Sequence, residues 1–217
     1  MTVSDERSEV PWGPLYRHRL DIRRDLGSIW DLPILKRYLD RIRALLPGRH
    51  RVLEVGAGNR GLGERLLKEF PSVVYRSMDV DRTYRHDYYS LDEVGERFDL
   101  VIMIEVIEHL TLDEGVALLT KARRLLNPGG VVLLTTPNVF HPTRYWADCT
   151  HRTFYPYDDL AGILRWIGYV DVLAFRVYNA PFFSRWLTIH AVRHVHRYLG
   201  IDFALSILVE GRAPSPT

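Results

Sequence analysis

The sequence predicts an α/β fold: a largely parallel sheet with helices on both faces. Three observations predict it. Short apolar runs such as Phe98-Asp99-Leu100-Val101-Ile102-Met103-Ile104 have the character of strands covered on both sides. Segments with apolar residues at helical spacing alternate with these runs, which implies right-handed crossovers between parallel neighbours. The stretch VLEVGAGNRGLG, Val52 to Gly63, passes from a buried strand through a glycine-rich turn into a helix. A length of 217 residues, 47% of them hydrophobic, suits one ordinary domain with a substantial core.

Residues 1–14 are polar and acidic and are expected to form a flexible tail, leaving 15–217 as the single domain. Leu32, Leu35, Tyr38, Leu39, Ile42 and Leu46 recur at helical spacing until Pro47-Gly48. The first strand spans Arg51–Val55, and the helix after the turn carries Leu62, Leu66, Leu67 and Phe70. A second strand covers Val73–Val80, a short third lies near His86–Tyr88, and the fourth is Phe98–Ile104. Thr111-Leu112-Asp113-Glu114 has the form of a capping box, opening a helix with Val116, Leu119, Ala122 and Leu126. Asn127-Pro128-Gly129-Gly130 turns the chain into a fifth strand, Val131–Thr135. A loop from Pro137 to Tyr155 leads to a helix with Leu160, Ile163, Leu164 and Ile167, which Gly168 ends. Strands six and seven are expected at Val170–Val177 and Phe203–Glu210. The cofactor half is placed at about 32–137, with substrate or lid elements at about 15–31 and 138–200.

Composition narrows the function classes. A formal charge of +2 gives no whole-molecule argument for nucleic acid or a membrane surface. The one cysteine, Cys149, excludes an internal disulfide and a cysteine-based zinc cluster. No apolar core of a signal peptide opens the chain, and no apolar run reaches about 18 residues, so a soluble cytoplasmic protein is expected.

Glycines in the turn let the backbone approach a ligand closely, and the helix that follows presents unpaired N–H groups. The turn lacks the Gly-Lys-Ser/Thr of a triphosphate loop, which suits a cationic or zwitterionic nucleotide-like cofactor. Gly56, Gly58 and Gly61 also satisfy the spacing of nicotinamide enzymes. Asp79, ending the second strand, is placed to accept hydrogen bonds from both ribose hydroxyls, with Asp81 as the alternative.

VLEVGAGNRGLG, SMDVD, FDLVIMIEVIEHL, LLNPGGVVLLTTPN and HRTFYPYDDL, in this order, resemble the class I S-adenosylmethionine-dependent methyltransferases, in the branch that includes ubiquinone-biosynthesis O-methyltransferases. The resemblance covers residues 35 to 180. It implies a Rossmann-like fold with a seven-stranded sheet whose last strand is antiparallel, and S-adenosyl-L-methionine as cofactor. It implies a cofactor site of Glu54, Gly56, Ala57, Gly58, Asn59, Gly61, Asp79, Val80, Asp87, Tyr88, Met103, Ile104 and Glu105. Within it, Gly56 and Gly58 pass the methionine part, Glu54 reaches the amino group or a water, and Asp87 and Tyr88 contact adenine.

Glu105, Glu108 and His109 stand at i, i+3 and i+4 and share one face if the segment is helical. The cluster resembles that of the small-RNA 3′-end 2′-O-methyltransferases, where Glu-x-x-Glu-His and a later histidine hold a divalent cation. The later histidine matches His151, with His141 as competitor. Such a set suits Mg²⁺, Mn²⁺, Fe²⁺ or Zn²⁺. Without a metal, the carboxylates complete hydrogen bonds at a helix start, and His109 or His151 serves as general base.

The acceptor expected is a small-molecule or saccharide hydroxyl, with an RNA ribose 2′-hydroxyl as alternative and a non-catalytic cofactor-binding regulator as a second. The loop Asn138–His151 is rich in Arg, Tyr, Trp and His, types that stack on rings and bind anions. Arg185–Leu199 reads as a basic amphipathic helix, for packing, a homodimer or peripheral membrane contact. Arg17, Arg19, Arg23 and Arg24 are expected to extend a basic rim around the same mouth.

Overall fold

The computed structural model describes residues 10–178 and 193–215. Its seven strands are β1 (Ile34–Leu35), β2 (Arg51–Val55), β3 (Val74–Met78), β4 (Phe98–Ile104), β5 (Leu126–Pro137), β6 (Val170–Val177) and β7 (Ser206–Arg212). Their order in the sheet is β1-β6-β7-β5-β4-β2-β3. Pairing is parallel between β2 and β3, β2 and β4, β4 and β5, and β1 and β6. The last strand, β7, is antiparallel to both of its neighbours.

The apolar runs are continuous because both faces of the sheet are covered. Along β4, Val101 and Met103 point into a cluster with Ile22, Leu119, Ala122 and Leu160. Leu100 and Ile102 point the other way, into a cluster with Leu39, Ile42 and Leu66. These residues are fully or almost fully buried, each such side chain contributing about 1.5–3 kcal/mol of transfer free energy. Helices α1 (Trp12–Leu26), α4 (Leu112–Leu125) and α5 (Tyr157–Trp166) supply the first face, and α2 (Tyr38–Leu45) and α3 (Gly61–Glu69) the second. Among the described residues no helix is long and apolar enough to cross a membrane.

Several elements differ from their sequence reading. The helix expected from Leu32 begins at Tyr38, because Pro33 holds Leu32 extended (φ −63°, ψ 141°) and the chain then adds β1 to the edge of β6. At the other edge, His86–Tyr88 makes one bridge, Met78 to Tyr88, in place of a strand, so β1 brings the number to seven. The expected tail ends early: Trp12, Gly13 and Pro14 form the first turn of α1, where a proline's missing N–H is not needed. Asn127–Gly130 bulges within β5, the pairing with β4 jumping from Leu126 to Val131 across Asp99. Of the 185–199 segment, Arg193–Leu199 is helical; Ile189, His190 and Val192 lie outside the described residues.

Three of the four arginines read as a basic rim are ion-paired. α1 packs so closely on α5 that a Cβ on Gly162 would lie 3.2 Å from the Arg19 nitrogen. Arg19 and Arg23 pair with Asp159 and Asp158 of α5, and Arg24 pairs with Asp21 and Asp25. Arg19 and Arg23 thus tie α1 to α5, while the pairs of Arg24 stay within α1.

The chain runs from β2 through α3 to β3 on one side, while β4 lies on the other side of β2. The crevice outside their carboxyl ends is therefore the switch point where open α/β sheets bind ligands.

Candidate active site

The glycine turn leaves β2 at this crevice. Gly56 (φ +73°) and Ala57 both donate to the carbonyl of Met78, at 2.9 and 3.2 Å, which fixes the turn to the end of β3. A Cβ on Gly56 would lie 2.4 Å from Cγ2 of Val106, so only glycine lets this turn pass the segment after β4. Gly58 (φ +45°) faces open space, and its N–H donates to Asp79 Oδ2 at 2.8 Å. Asn59 accepts from the Gly61 N–H at 3.0 Å, capping the first turn of α3.

Glu54 has a different place from the one its resemblance implied. It is buried beneath the turn, where it accepts a hydrogen bond from the Tyr75 hydroxyl near the positive end of α3, whose Gly63 N–H pulls its pKa down. Burial raises its pKa from 4.5 to about 7, against the opposing pull of those donors. The folded state thus holds this proton more tightly than the unfolded chain. The resulting stabilisation is complete below pH 4.5 and is lost as pH rises through 7. Relative to Glu54→Gln, the wild-type unfolding free energy is expected to fall by about 2.5 kcal/mol between pH 5 and pH 8. Parallel urea midpoints across that range would contradict it.

Asp79 Oδ1 accepts from the Asp81 N–H at 2.9 Å, so each Asp79 oxygen makes one bond to the loop and keeps capacity for another. Asp81 is turned to Thr83, whose N–H and hydroxyl it accepts at 2.8 and 2.7 Å. Val80 stands beside Asp79 with 78% of its surface exposed. Asp87 braces the strand edge, accepting from the Ser77 N–H and hydroxyl at 2.8 and 2.9 Å, and the Tyr88 hydroxyl donates to Glu96 at 2.6 Å. The polar groups of both are thus directed to structure. Met103 is buried and Ile104 partly buried at the end of β4.

After β4 the chain makes a sharp bend at Glu105 (φ +53°), followed by a single 3-10 turn, Ile107–His109. That bend removes the helical spacing expected of Glu105, Glu108 and His109. Glu105 faces Arg144 at 3.6 Å, and its Oε1 is buried without a partner. Glu108, His109 and His151 come together instead, one ligand atom from each lying within 4.8 Å of the others. His141 lies outside this group, against the ring of Phe203. The structure thus unites three of the four residues read as ligands.

The return loop brings His151 in by docking on the 3-10 turn. The N–H groups of Arg152 and Thr153 donate to the Glu108 carbonyl at 2.7 and 3.1 Å, and the Thr153 hydroxyl donates to Leu110. His151 Nδ1 lies 2.7 Å from the Tyr145 carbonyl, which only accepts, so Nδ1 carries the proton. Thr150 gives its hydroxyl proton to Asp148 at 2.7 Å, so His109 Nδ1, 2.9 Å from that hydroxyl, is also the donor. In the neutral form of either imidazole the acceptor nitrogen is then Nε2. Glu108 is fully buried with neither carboxylate oxygen bonded, and burial, reinforced by the charge of Glu105, raises its pKa to about 8. Tyr145, Asp148 and Thr150 were not singled out in the sequence. The readable sign was Asp148-Cys149-Thr150, a local Asp-x-Thr turn immediately before a histidine.

A glycine turn at the switch point, an acid on the next strand and a polar cluster over the crevice define an α/β enzyme that works on a nucleotide-like cofactor. Residues 29–174 match the model of a family described as methyltransferase domain, and the chain belongs to it: it is a class I S-adenosylmethionine-dependent methyltransferase. It is 34% identical over 104 residues to a ubiquinone biosynthesis O-methyltransferase of Cereibacter sphaeroides, 41% of each chain being covered. The chain spans about half, or less, of the length of the curated relatives it matches. A structure of a SAM-dependent methyltransferase from Archaeoglobus fulgidus superposes with a TM-score of 0.66 at 17% identity, covering 89% of this chain and 98% of the other. Haemonchus contortus phosphoethanolamine N-methyltransferase 2, in complex with S-adenosyl-L-methionine, gives 0.55 at 14% identity over 92% and 53%.

Proposed function

We propose that this methyltransferase moves the methyl of S-adenosylmethionine to a hydroxyl oxygen of a small molecule or saccharide, with a divalent cation held by Glu108, His109 and His151. The observation that carries the reading is the convergence of these three side chains beside the glycine turn. The donor set fits a cation, because a fully buried carboxyl with two unbonded oxygens lies beside two imidazoles whose Nδ1 atoms are already engaged. Mg²⁺, Mn²⁺, Fe²⁺ and Zn²⁺ all accept such donors. When bound, a cation of this kind lowers the pKa of an acceptor hydroxyl.

The remaining work belongs to the chain. In this reading the Gly56–Gly58 backbone passes the methionine part, and Asp79 accepts from the ribose hydroxyls. Met103 and Ile104 form the floor, and Glu105 with Arg144 closes the side towards the lid. Tyr145 and the Asp148–Thr150 pair engage each Nδ1, which leaves Nε2 as the ring nitrogen open to a ligand. The exposed rings of Trp146 and Phe154, both edge-on to Tyr145, offer stacking surface to a ring or sugar. Methyl transfer from a sulfonium gains further from alignment of the two reacting atoms alone.

Pairing of Arg19 and Arg23 with the carboxylates of α5 leaves fewer cations on α1 for phosphates, which favours a small acceptor over RNA. Transfer of labelled methyl to panels of hydroxylated small molecules, saccharides and oligoribonucleotides tests this. Label is expected in a small hydroxylated acceptor as a base-stable ether, with turnover little changed between 50 and 200 mM salt. Turnover confined to RNA, and falling steeply with salt, would contradict it.

A further inference from the structure

At the other end of α4 from the capping box of Thr111, three arginines line one cavity of about 240 Å³: Arg97, Arg123 and Arg124. α4 has 14 residues, so the cavity lies about 20 Å from the His109 side. Its other walls are apolar, with Leu126, Pro128, Ala213 and Pro214. The cavity is assembled from sequence-distant pieces: the residue before β4, the last turn of α4, the start of β5 and the segment after β7.

The charges of this cavity are not balanced. Among the described residues no carboxylate lies within ion-pair distance of Arg97, Arg123 or Arg124, whereas Arg19, Arg41, Arg165 and Arg176 each have one. Arg97 is held in place by a bond of 3.1 Å from its guanidinium to the Leu126 carbonyl. Arg123 Nε is buried with no hydrogen-bond partner, and a Cβ on Gly168 would already touch the same guanidinium at 3.6 Å. Arginines in a last helical turn also offset the helix dipole. That role needs neither a cavity nor a third guanidinium from another element, and it leaves the buried Nε donor unsatisfied at a real cost.

We propose that this cavity is a binding site for a phosphate group, free or as the monoester of a small molecule. Three guanidinium forks match a dianion in charge and geometry, and apolar walls strengthen their field. The volume holds the anion with room for an attached group, each water occupying about 30 Å³ in the liquid. Occupancy would clasp α4, the head of β4 and the segment after β7.

Calorimetry at constant ionic strength tests it, with inorganic phosphate, glycerol phosphate and acetate titrated into the full chain. Saturable one-to-one binding is expected for the two phosphates and not for acetate, together with a raised Tm. Arg123→Gln and Arg124→Gln are each expected to weaken binding about tenfold or more, the loss of one charge-assisted hydrogen bond. Arg17→Gln, on the exposed side of α1, should leave it unchanged. If Arg123→Gln does not fold, the exposed Arg124 carries the comparison. Three results would overturn the proposal: no saturable heat with either phosphate, unaltered affinity in Arg124→Gln, or displacement of phosphate by S-adenosylhomocysteine, which would place the anion in the donor cleft.

Discussion

Replacing Glu108 by Gln is expected to reduce kcat by about 10³-fold or more while leaving S-adenosylhomocysteine affinity within about twofold. His151→Ala should behave alike. The size follows from the role assigned: losing the group that lowers the acceptor's pKa raises the barrier by about 4 kcal/mol, in the range seen for single electrostatic or acid–base groups. The split between kcat and donor binding follows from position, because the donor turn is built from β2 and β3, and Glu108 follows β4. Glu108→Gln also separates function from folding. The Glu108 carboxyl, with its pKa at about 8, is largely uncharged at neutral pH when no cation is present. A neutral isostere therefore removes a ligand without removing a structural charge, and in cation-free protein Tm is expected to stay level or rise. Unchanged kcat in either variant, measured at saturating acceptor, would remove the cluster from the mechanism.

The second large effect is on donor binding. Asp79→Ala is expected to weaken S-adenosylmethionine about 30- to 100-fold, the equivalent of about 2–3 kcal/mol for hydrogen bonds to a charged acceptor. Part of that loss is indirect, since Asp79 also holds the N–H groups of Gly58 and Asp81 and so shapes the turn. Asp81→Ala serves as the discriminating control. Its carboxylate is already committed to Thr83, so donor affinity should change less than threefold. Calorimetry showing the larger loss in Asp81→Ala would reverse the two assignments.

The parts of the fold legible in the sequence are those set by local chemistry. β4 announces itself because six of its seven residues are apolar, and α4 because Thr111 and Glu114 satisfy each other's backbone N–H groups. Gly56 was legible as a glycine, but not its reason, the side chain of Val106 fifty residues on. β1 was hidden because Leu32 and Leu35 continue the helical rhythm of α2, and only pairing with β6 draws Ile34 and Leu35 into the sheet. α1 was missed because its arginines read as a basic rim, whereas Arg19 and Arg23 are partners for Asp159 and Asp158.

The site was legible by residue type and not by geometry. Glu108, His109 and His151 were named from their order in the chain, while the left-handed turn at Glu105 that takes it out of the cluster leaves no sequence signal, since a non-glycine residue carries it. The direction of Glu54 was hidden for the same reason: strand position marks it as acidic and near the turn, but its bond from Tyr75 decides that it points beneath the turn. The orientation of both histidines rests on a carbonyl and on an Asp–Thr pair, groups whose role appears only when the loop is folded.

The most direct test of the cation site is metal content and turnover measured on one preparation before chelation, after it, and after re-addition of Mg²⁺, Mn²⁺, Fe²⁺ or Zn²⁺. The expected result is one cation per chain, turnover falling to background on removal and returning with one of these ions, and S-adenosylhomocysteine affinity unchanged throughout. Full turnover in protein shown to be free of metal would contradict it.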